Sequence, residues 1–593
     1  MENSTNKCSY EGCTEESDRK DGKGKCVFHS NRPNKTDDFD NAFWKRYSVI
    51  EPKENSEGRI FDFLKEKDKR EKDTLDFKGF VFPNKFLKEH EAFLFCEVAF
   101  KKKVVFEETI FEGNSDFSGS KFFSDISFKG AEFFGNVCFD KTTFSNKSNV
   151  NFIAVTFSNK GDVSFTEAEF SNRGSVTFNG AKFSNEGKVD FTGATFFNKG
   201  DLDFTFANFA NKGETSFLSK FSNEGNVKFS FAKFTNEGNL EFSFATFNNK
   251  GDVDFSRAKF SNKGNLNFLG ICIFENKGGI DFSRATFSCE RVLFHWLKMT
   301  CKNIDFTEAK AHTRLIFEGE ESSPLFSDID KISFKDMLLD SGYLQFRHVD
   351  LSRASFLYTD VRNLLFENVT WHEKQLFSIG KLGIGKRQAI YDEDTYDKDL
   401  IEPSFKNTSE DRSRKTDTSE FQHVPRGLKK GRQETVSNLY KQLRINYERN
   451  LNFSEYAGDF HIGEMEMKKR LAWNSSFPDW ILLFLHKHIG VYGERWWLPI
   501  IWLFFLGLIF SWFVPVANFP FVEWTNYYWD WNRLVDYSHF RTSGLTLLQL
   551  TDDSDVEYTK SILGLAERFV SIVLMASLVL GIQRKLSRTQ PKG

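Results

Sequence analysis

Asp162-Val163-Ser164-Phe165-Thr166-Glu167-Ala168-Glu169-Phe170-Ser171-Asn172-Arg173-Gly174 is followed at once by Ser175-Val176-Thr177-Phe178-Asn179-Gly180-Ala181-Lys182-Phe183-Ser184-Asn185-Glu186-Gly187. The second segment repeats the frame of the first, position for position. Each holds two Phe five apart, a small or β-branched residue two before each Phe, and a closing Asn-x-Gly. Residues at i and i−2 share one face of an extended chain, so each Phe and its small partner point into a common interior. The residues between are Ser, Thr, Asp, Lys and Glu, which belong in water. Short inward pairs separated by corners describe a stacked solenoid, in which each unit buries its apolar face only against its neighbours. The Asn-x-Gly groups, such as Asn159-Lys160-Gly161 and Asn249-Lys250-Gly251, read as enlarged corners built from residues that tolerate positive φ.

The phase extends in both directions. Upstream, Phe106, Phe117, Phe128 and Phe139 are spaced by 11, each with a partner five on. From Phe152 to Phe217 the spacing is 13, and the register resumes at Phe282/Phe287. Downstream, Phe346, Leu351, Phe356, Val361, Phe366 and Trp371 are five apart, preceded by two by Leu344, Val349, Ala354, Thr359, Leu364 and Val369. The stretch Val349-Asp350-Leu351-Ser352-Arg353-Ala354-Ser355-Phe356 resembles the pentapeptide-repeat family. The resemblance covers about residues 95–371. It implies a mainly β fold, a right-handed quadrilateral β-helix with the central residue of each pentad inside. The periods of 11 and 13 depart from five and imply longer corners.

The chain has 593 residues, a formal net charge of −3, and 71 Phe against 14 Tyr. So many rings without hydroxyls fit a dry core. The near-neutral charge and the mixed Lys, Arg, Asp and Glu outside argue against nucleic acid as a partner and against DNA mimicry. No nucleophile, carboxylate pair or accompanied His in the repeats suggests catalysis, so the chain reads as a non-enzyme.

Cys8, Cys13, Cys26 and His29 stand at C-x4-C-x12-C-x2-H. Three thiolates and an imidazole complete a tetrahedral Zn²⁺ site with no open position, which predicts a structural zinc. A segment this polar has no core of its own and would need the metal to fold. The remaining five of the eight cysteines are scattered singly in apolar patterns and read as core thiols.

The expected organisation is a zinc module at 1–40, a cap or connector at 41–94, the β-solenoid at 95–371, a flexible linker at 372–432, juxtamembrane helices at 433–495, and a transmembrane region at 496–593. Phe43, Trp44, Phe61, Phe63 and Leu64 are candidates for the cap. Val436, Leu439, Tyr440, Leu443 and Tyr447 share one helical face. The run Ala457–Lys468 and Tyr492-Gly493-Glu494-Arg495 resemble the juxtamembrane segment of bacterial pentapeptide-repeat membrane proteins. His461, Glu464 and Glu466 read as solvated charges of a helix hairpin rather than metal ligands. Residues 478–490 are too short to span and fit the membrane interface.

Trp496–Val516 is an uncharged run long enough to span a bilayer, and Ile562–Ile582 is a second run interrupted by Glu567-Arg568. Nine of the 12 Trp lie between Trp473 and Trp531, as interfacial belts prefer. Lys468, Lys469, Arg470, Lys487 and Arg495 precede the first run, and Arg584, Lys585, Arg588 and Lys592 follow the second. With no apolar leader in the first residues, this predicts two spans in a bacterial inner membrane with both termini cytoplasmic. Between them lie a semi-apolar Phe540–Leu550 and the acidic Asp552, Asp553, Asp555 and Glu557. This order resembles the two-transmembrane pore module of the potassium-channel superfamily. The resemblance implies a homo-oligomeric, ion-conducting pore with Thr542, Thr546, Asp552, Asp553 and Glu567 as candidate lining residues. The Thr542–Thr546 stretch lacks a Thr-Val-Gly-Tyr-Gly ladder, so potassium selectivity is not expected. The leading expectation is a cytosolic solenoid sensor or scaffold coupled to that pore. The alternative is a non-conducting membrane tether whose solenoid binds a protein partner of unknown identity.

Overall fold

The structure is a computed structural model that describes most of residues 7–50, 63–66, 74–83, 95–394, 426–449, 454–513 and 562–589. The chain divides into two units, Met1–His372 and Glu373–Gly593.

The first unit is a β-solenoid. Its short strands stack into four parallel sheets, which form the four faces of each coil. Val163 pairs in register with Val137 below and Val189 above. The step from Val137 to Val163 is therefore one coil, and the repeat quoted from the sequence is half of it. The upstream repeats, spaced by 11, give shorter coils, as in Val104 beneath Ile126. The strict pentads give the shortest, as in Gln345 beneath Leu365.

The two half-coils explain the Phe-only core. Phe165 stacks face to face on Phe139 and Phe191 at 4.8 Å, each one coil away. It meets Phe152 and Phe178 of the opposite half-coils edge to face, at 5.8 and 5.6 Å. Both geometries suit the ring quadrupole, and both recur along the stack. Every one of these rings is fully buried.

Corners come in two kinds. The tight corner is a β-turn: Ala168 N–H donates to the Phe165 carbonyl at 3.1 Å, and Glu167 between them has φ +55°. Position three of such a turn requires positive φ, which is why Gly119, Gly130, Gly180 and Gly193 recur there. The enlarged corner is the Asn-x-Gly. Here the expected reason was positive φ, and the structure corrects it. The glycines with positive φ do not include Gly161, Gly187, Gly213 or Gly238. Close approach selects them instead: a Cβ on Gly213 would lie 2.7 Å from the Gly187 carbonyl carbon one coil away. The Asn is buried, and its amide pins the corner, as Asn172 Nδ2 donating to the Gly174 carbonyl at 2.9 Å.

Coils begin earlier than residue 95. Thr74–Asp76 and Val81–Phe82 already pair with Lys103–Val105 and Ile110–Phe111. Helix α1 (Thr36–Arg46) covers this first coil. Its Phe39 lies 5.3 Å from Phe82 and its Phe43 6.1 Å from Phe77, both fully buried. Trp371 closes the other end of the ring column at 5.3 Å from Phe366. Cys272, Cys289 and Cys301 are buried, and Cys96 and Cys138 half-buried.

The second unit opens where a linker was expected. His372–Ile379 and Leu382–Ala389 form a two-stranded sheet, followed by a short 3-10 turn at Tyr391–Glu393. The expected disordered centre, residues 395–420, lies outside the described residues. Helices α2 (Arg426–Arg449) and α3 (Ser454–Ser475) follow, then α4 (Phe477–Gly490), α5 (Leu498–Phe513) and α6 (Ile562–Thr589). Helix α2 buries Val436, Leu439, Tyr440, Leu443 and Tyr447, the face read from the sequence.

Polar residues hold this unit together. Glu393 is buried and meets Arg387 Nη2 and the Tyr440 hydroxyl at 2.5 Å each, with Lys374 at 2.9 Å. Burial pushes its carboxyl up, but Arg387 and Lys374 outweigh that and hold it below the usual range. Gly463 lets the Tyr440 ring lie against α3, since a Cβ there would come within 2.4 Å of it.

Candidate metal centre and apolar C-terminal helices

Residues 7–30 fold as a small knuckle. Lys7 bridges Glu16, and Cys8 N–H donates to the Glu15 carbonyl at 2.9 Å. The His29 and Ser30 N–H groups turn back to the Cys26 carbonyl at 3.1 and 2.9 Å. These turns bring the four sequence-predicted ligands together: one ligand atom from each of Cys8, Cys13, Cys26 and His29 lies within 4.8 Å of the others. Cys13 Sγ and Cys26 Sγ are 3.8 Å apart, and His29 Nδ1 is 3.5 Å from Cys8 Sγ and 3.0 Å from Cys26 Sγ. A tetrahedron with Zn–S bonds of about 2.3 Å has edges of about 3.8 Å, so the donor set fits a metal of that size.

The surroundings fix the ligand states. His29 Nε2 lies 3.1 Å from the Lys78 carbonyl, which can only accept, so Nε2 carries the proton and Nδ1 offers its lone pair to the centre. Burial holds the His29 imidazole pKa down, which favours the neutral, ligating form. Burial pushes the Cys13 and Cys26 thiols up. At Cys8 burial also acts upward, but N–H groups including that of Cys26, 3.1 Å from its sulfur, bring the thiol down. A divalent cation held by these four residues would supply the charge that burial withholds from the sulfurs.

The sequence did not show what the knuckle sits on. The Tyr10 ring stacks on His29 at 4.1 Å, and its hydroxyl donates to Glu108 at 2.9 Å. It lies over Gly79, where a Cβ would come within 2.3 Å of the ring. Phe28 stacks on Phe80 at 4.7 Å, and its carbonyl accepts the Val81 N–H at 2.7 Å. The knuckle thus pairs with the edge of the first coil. Lys78 contributes through its backbone, far along the chain from His29, which no local signal encodes. Trp44, Phe63 and Leu64 have no described side chains, and Phe61 lies outside the described residues.

Among the described residues, no other group of His, Cys, Asp and Glu is placed to hold a metal. Glu464 pairs with Lys468 at 2.7 Å and Arg444 at 3.2 Å, and Glu466 with Lys469 at 2.9 Å and Lys487 at 3.0 Å. His461 Nε2 is 3.1 Å from Arg584 Nη1. The three are largely buried members of polar networks, not the solvated charges expected.

One helix among the described residues is long and apolar enough to cross a membrane: α6, through Phe569–Leu586. The first expected span is described over residues 496–513, of which Leu498–Phe513 is helix α5. Thr542, Thr546, Asp552 and Asp553 lie outside the described residues, as does Phe540–Leu550. Glu567 lies in the second turn of α6, and its side chain is not described.

Helix α6 has two unlike faces. Ser571, Leu574 and Ser577 are buried, with Gly581 against Trp496. Phe569, Ile572, Val579, Leu580 and Leu586 are exposed, Phe569 by 70%. Helix α5 exposes Ile500, Ile501, Phe504 and Phe505, and α4 exposes Leu482 and Leu485.

Comparison with protein-family models, with curated proteins and with solved structures returned no match.

Proposed function

We propose that this chain is a membrane-tethered scaffold: a pentapeptide-repeat-type, right-handed solenoid, closed at one end by a structural zinc knuckle and held in the bilayer by its C-terminal helices. The observation that carries the tether is the division of α6. Ser571, Leu574, Ser577 and Gly581 pack inward, while Phe569, Ile572, Val579, Leu580 and Leu586 remain in the open, which water penalises and lipid does not. On this reading the uncharged run Trp496–Val516, which contains α5, is a first span and α6 is the second. The orientation is that of a bacterial inner-membrane protein with both termini in the cytoplasm. The solenoid acts by binding a protein partner and performs no catalysis. The fit of the four-ligand cluster to a tetrahedral metal supports zinc. The test is metal analysis of freshly purified full-length protein. One equivalent of zinc supports the knuckle, and less than about half an equivalent rejects it.

A second reading makes the same helices an oligomeric, channel-like pore. Glu567 favours it, because a carboxylate inside an apolar helix usually faces water or protein. Ion flux through liposomes carrying the purified protein separates the two readings. Flux that changes with Glu567→Ala supports the pore, and its absence across voltage, pH and salt leaves the tether.

A further inference from the structure

Many of the solenoid's charges are paired by register. Lys212 meets Glu186 at 3.0 Å, Lys263 meets Glu237 at 2.8 Å, and Arg284 meets Glu308 at 2.9 Å, each one coil apart. One edge adds exposed aromatic rings in successive coils. It is the tight corner that carries Gly180, Phe206, Phe231, Arg257 and Arg284 in successive coils.

Phe206 and Phe231 are exposed there, Phe206 by 58%, and their rings stack at 4.9 Å. Both have positive φ, +59° and +56°. A bulky residue in that conformation is strained, and an exposed ring recovers nothing from the core. The same corner position holds Gly180 one coil before Phe206, so the fold does not require Phe.

The faces on either side are charged with opposite sign. On one, Asp203, Asp254, Asp281 and Asp305 point outward, with Asp254, Asp281 and Asp305 in consecutive register. Its one Lys in this stretch, Lys228, is paired with Asp201 at 2.6 Å. On the other, Lys182, Lys233, Lys259 and Lys310 are exposed, with Lys233 and Lys259 directly in register. Among the described residues, none of these four lysines has an ion-pair partner. Like charges in neighbouring strands destabilise a sheet. Each Asp of the row accepts a backbone N–H two residues on, at 2.7–2.8 Å, which leaves a second carboxylate oxygen to meet a cation from outside.

We propose that this corner is a contact to a second copy of the chain, lying parallel and related by a two-fold axis along the stack. Such an axis sets each residue against its own counterpart, so the Phe206/Phe231 pair of one copy covers that of the other. It also turns the Lys face of one copy toward the Asp face of the other. Asp254 and Lys259 share a coil, as do Asp305 and Lys310, so the opposite charges meet at equal height. An antiparallel pair would set Lys against Lys and Asp against Asp. The contact does not depend on the membrane reading.

The test uses the full-length protein in detergent, with Phe206→Cys and Phe231→Cys prepared separately and oxidised. The contact requires 206–206 and 231–231 disulfides, identified by mass spectrometry. Phe206→Ser with Phe231→Ser weakens association by about tenfold or more in sedimentation. Phe244→Ser, on the opposite tight corner with its ring over Gly270, leaves association unchanged. Lys259→Glu weakens association, and adding Asp254→Lys restores it. A monomeric wild type, association unaltered by the Phe206/Phe231 pair, or disulfides absent from both Cys variants would each overturn the proposal.

Discussion

Gly180 has φ +65° and nothing within 4 Å of where a Cβ would project, whereas a Cβ on Gly213 would sit 2.7 Å from the backbone of the neighbouring coil. The two glycines therefore fail differently. Gly180→Ala costs about 1 kcal/mol, the strain of a left-handed residue. Gly213→Ala forces two coils apart and costs about 3 kcal/mol, the upper end for overpacking. Denaturant unfolding of the two variants checks the order, and a larger loss at Gly180 would contradict it. Among the rings, Phe178→Ala empties a site flanked by Phe152 and Phe204 at 4.7 Å each and costs about 3–5 kcal/mol. The exposed Phe206→Ser changes stability by no more than about 0.5 kcal/mol. The Phe phase made the core legible because each ring repeats the same side-chain chemistry. The reason for the corner glycines was not legible, because contact with the neighbouring coil leaves no mark beside the glycine itself.

At the scale of elements, the juncture between α3, α4 and α5 is the most constrained part of the second unit. Val491, Tyr492 and Gly493 all have positive φ in the turn that leaves α4. Glu466 holds that turn, accepting from the Tyr492 hydroxyl at 2.8 Å and pairing with Lys469 and Lys487. Burial works against the charged carboxylate, but the two lysines outweigh it and bring the Glu466 pKa to about 2. A folded pKa below the unfolded one contributes stability that is full above the unfolded value, near about 4.3, and is lost as pH falls toward about 2. Helix α3 is thus expected to lose hydrogen-exchange protection between about pH 4 and 2, and Glu466→Gln to flatten that dependence. An unchanged pH profile in Glu466→Gln would contradict the assignment. The helices were legible from their apolar period. The sheet at residues 372–389 was not, because its interior partners, Arg387 and Glu393, are charges that look like linker until they are paired.

For the whole molecule, the knuckle and α1 act as a lid on a β-stack whose first coil would otherwise present an open edge and bare Phe rings. Unpaired strand edges and exposed rings promote association. Cys26→Ser is expected to reduce bound zinc below about half an equivalent and to raise aggregation, read by metal analysis and light scattering. Retained metal with unchanged scattering would contradict a metal-held cap. The four ligands were legible from spacing alone, but their role required seeing Tyr10, Lys78 and Gly79 in contact with them. The membrane reading rests on α6, and alkaline extraction of membranes carrying the full-length protein tests it most directly. A tethered chain stays in the pellet after carbonate treatment. Release of the protein into the supernatant would contradict the tether.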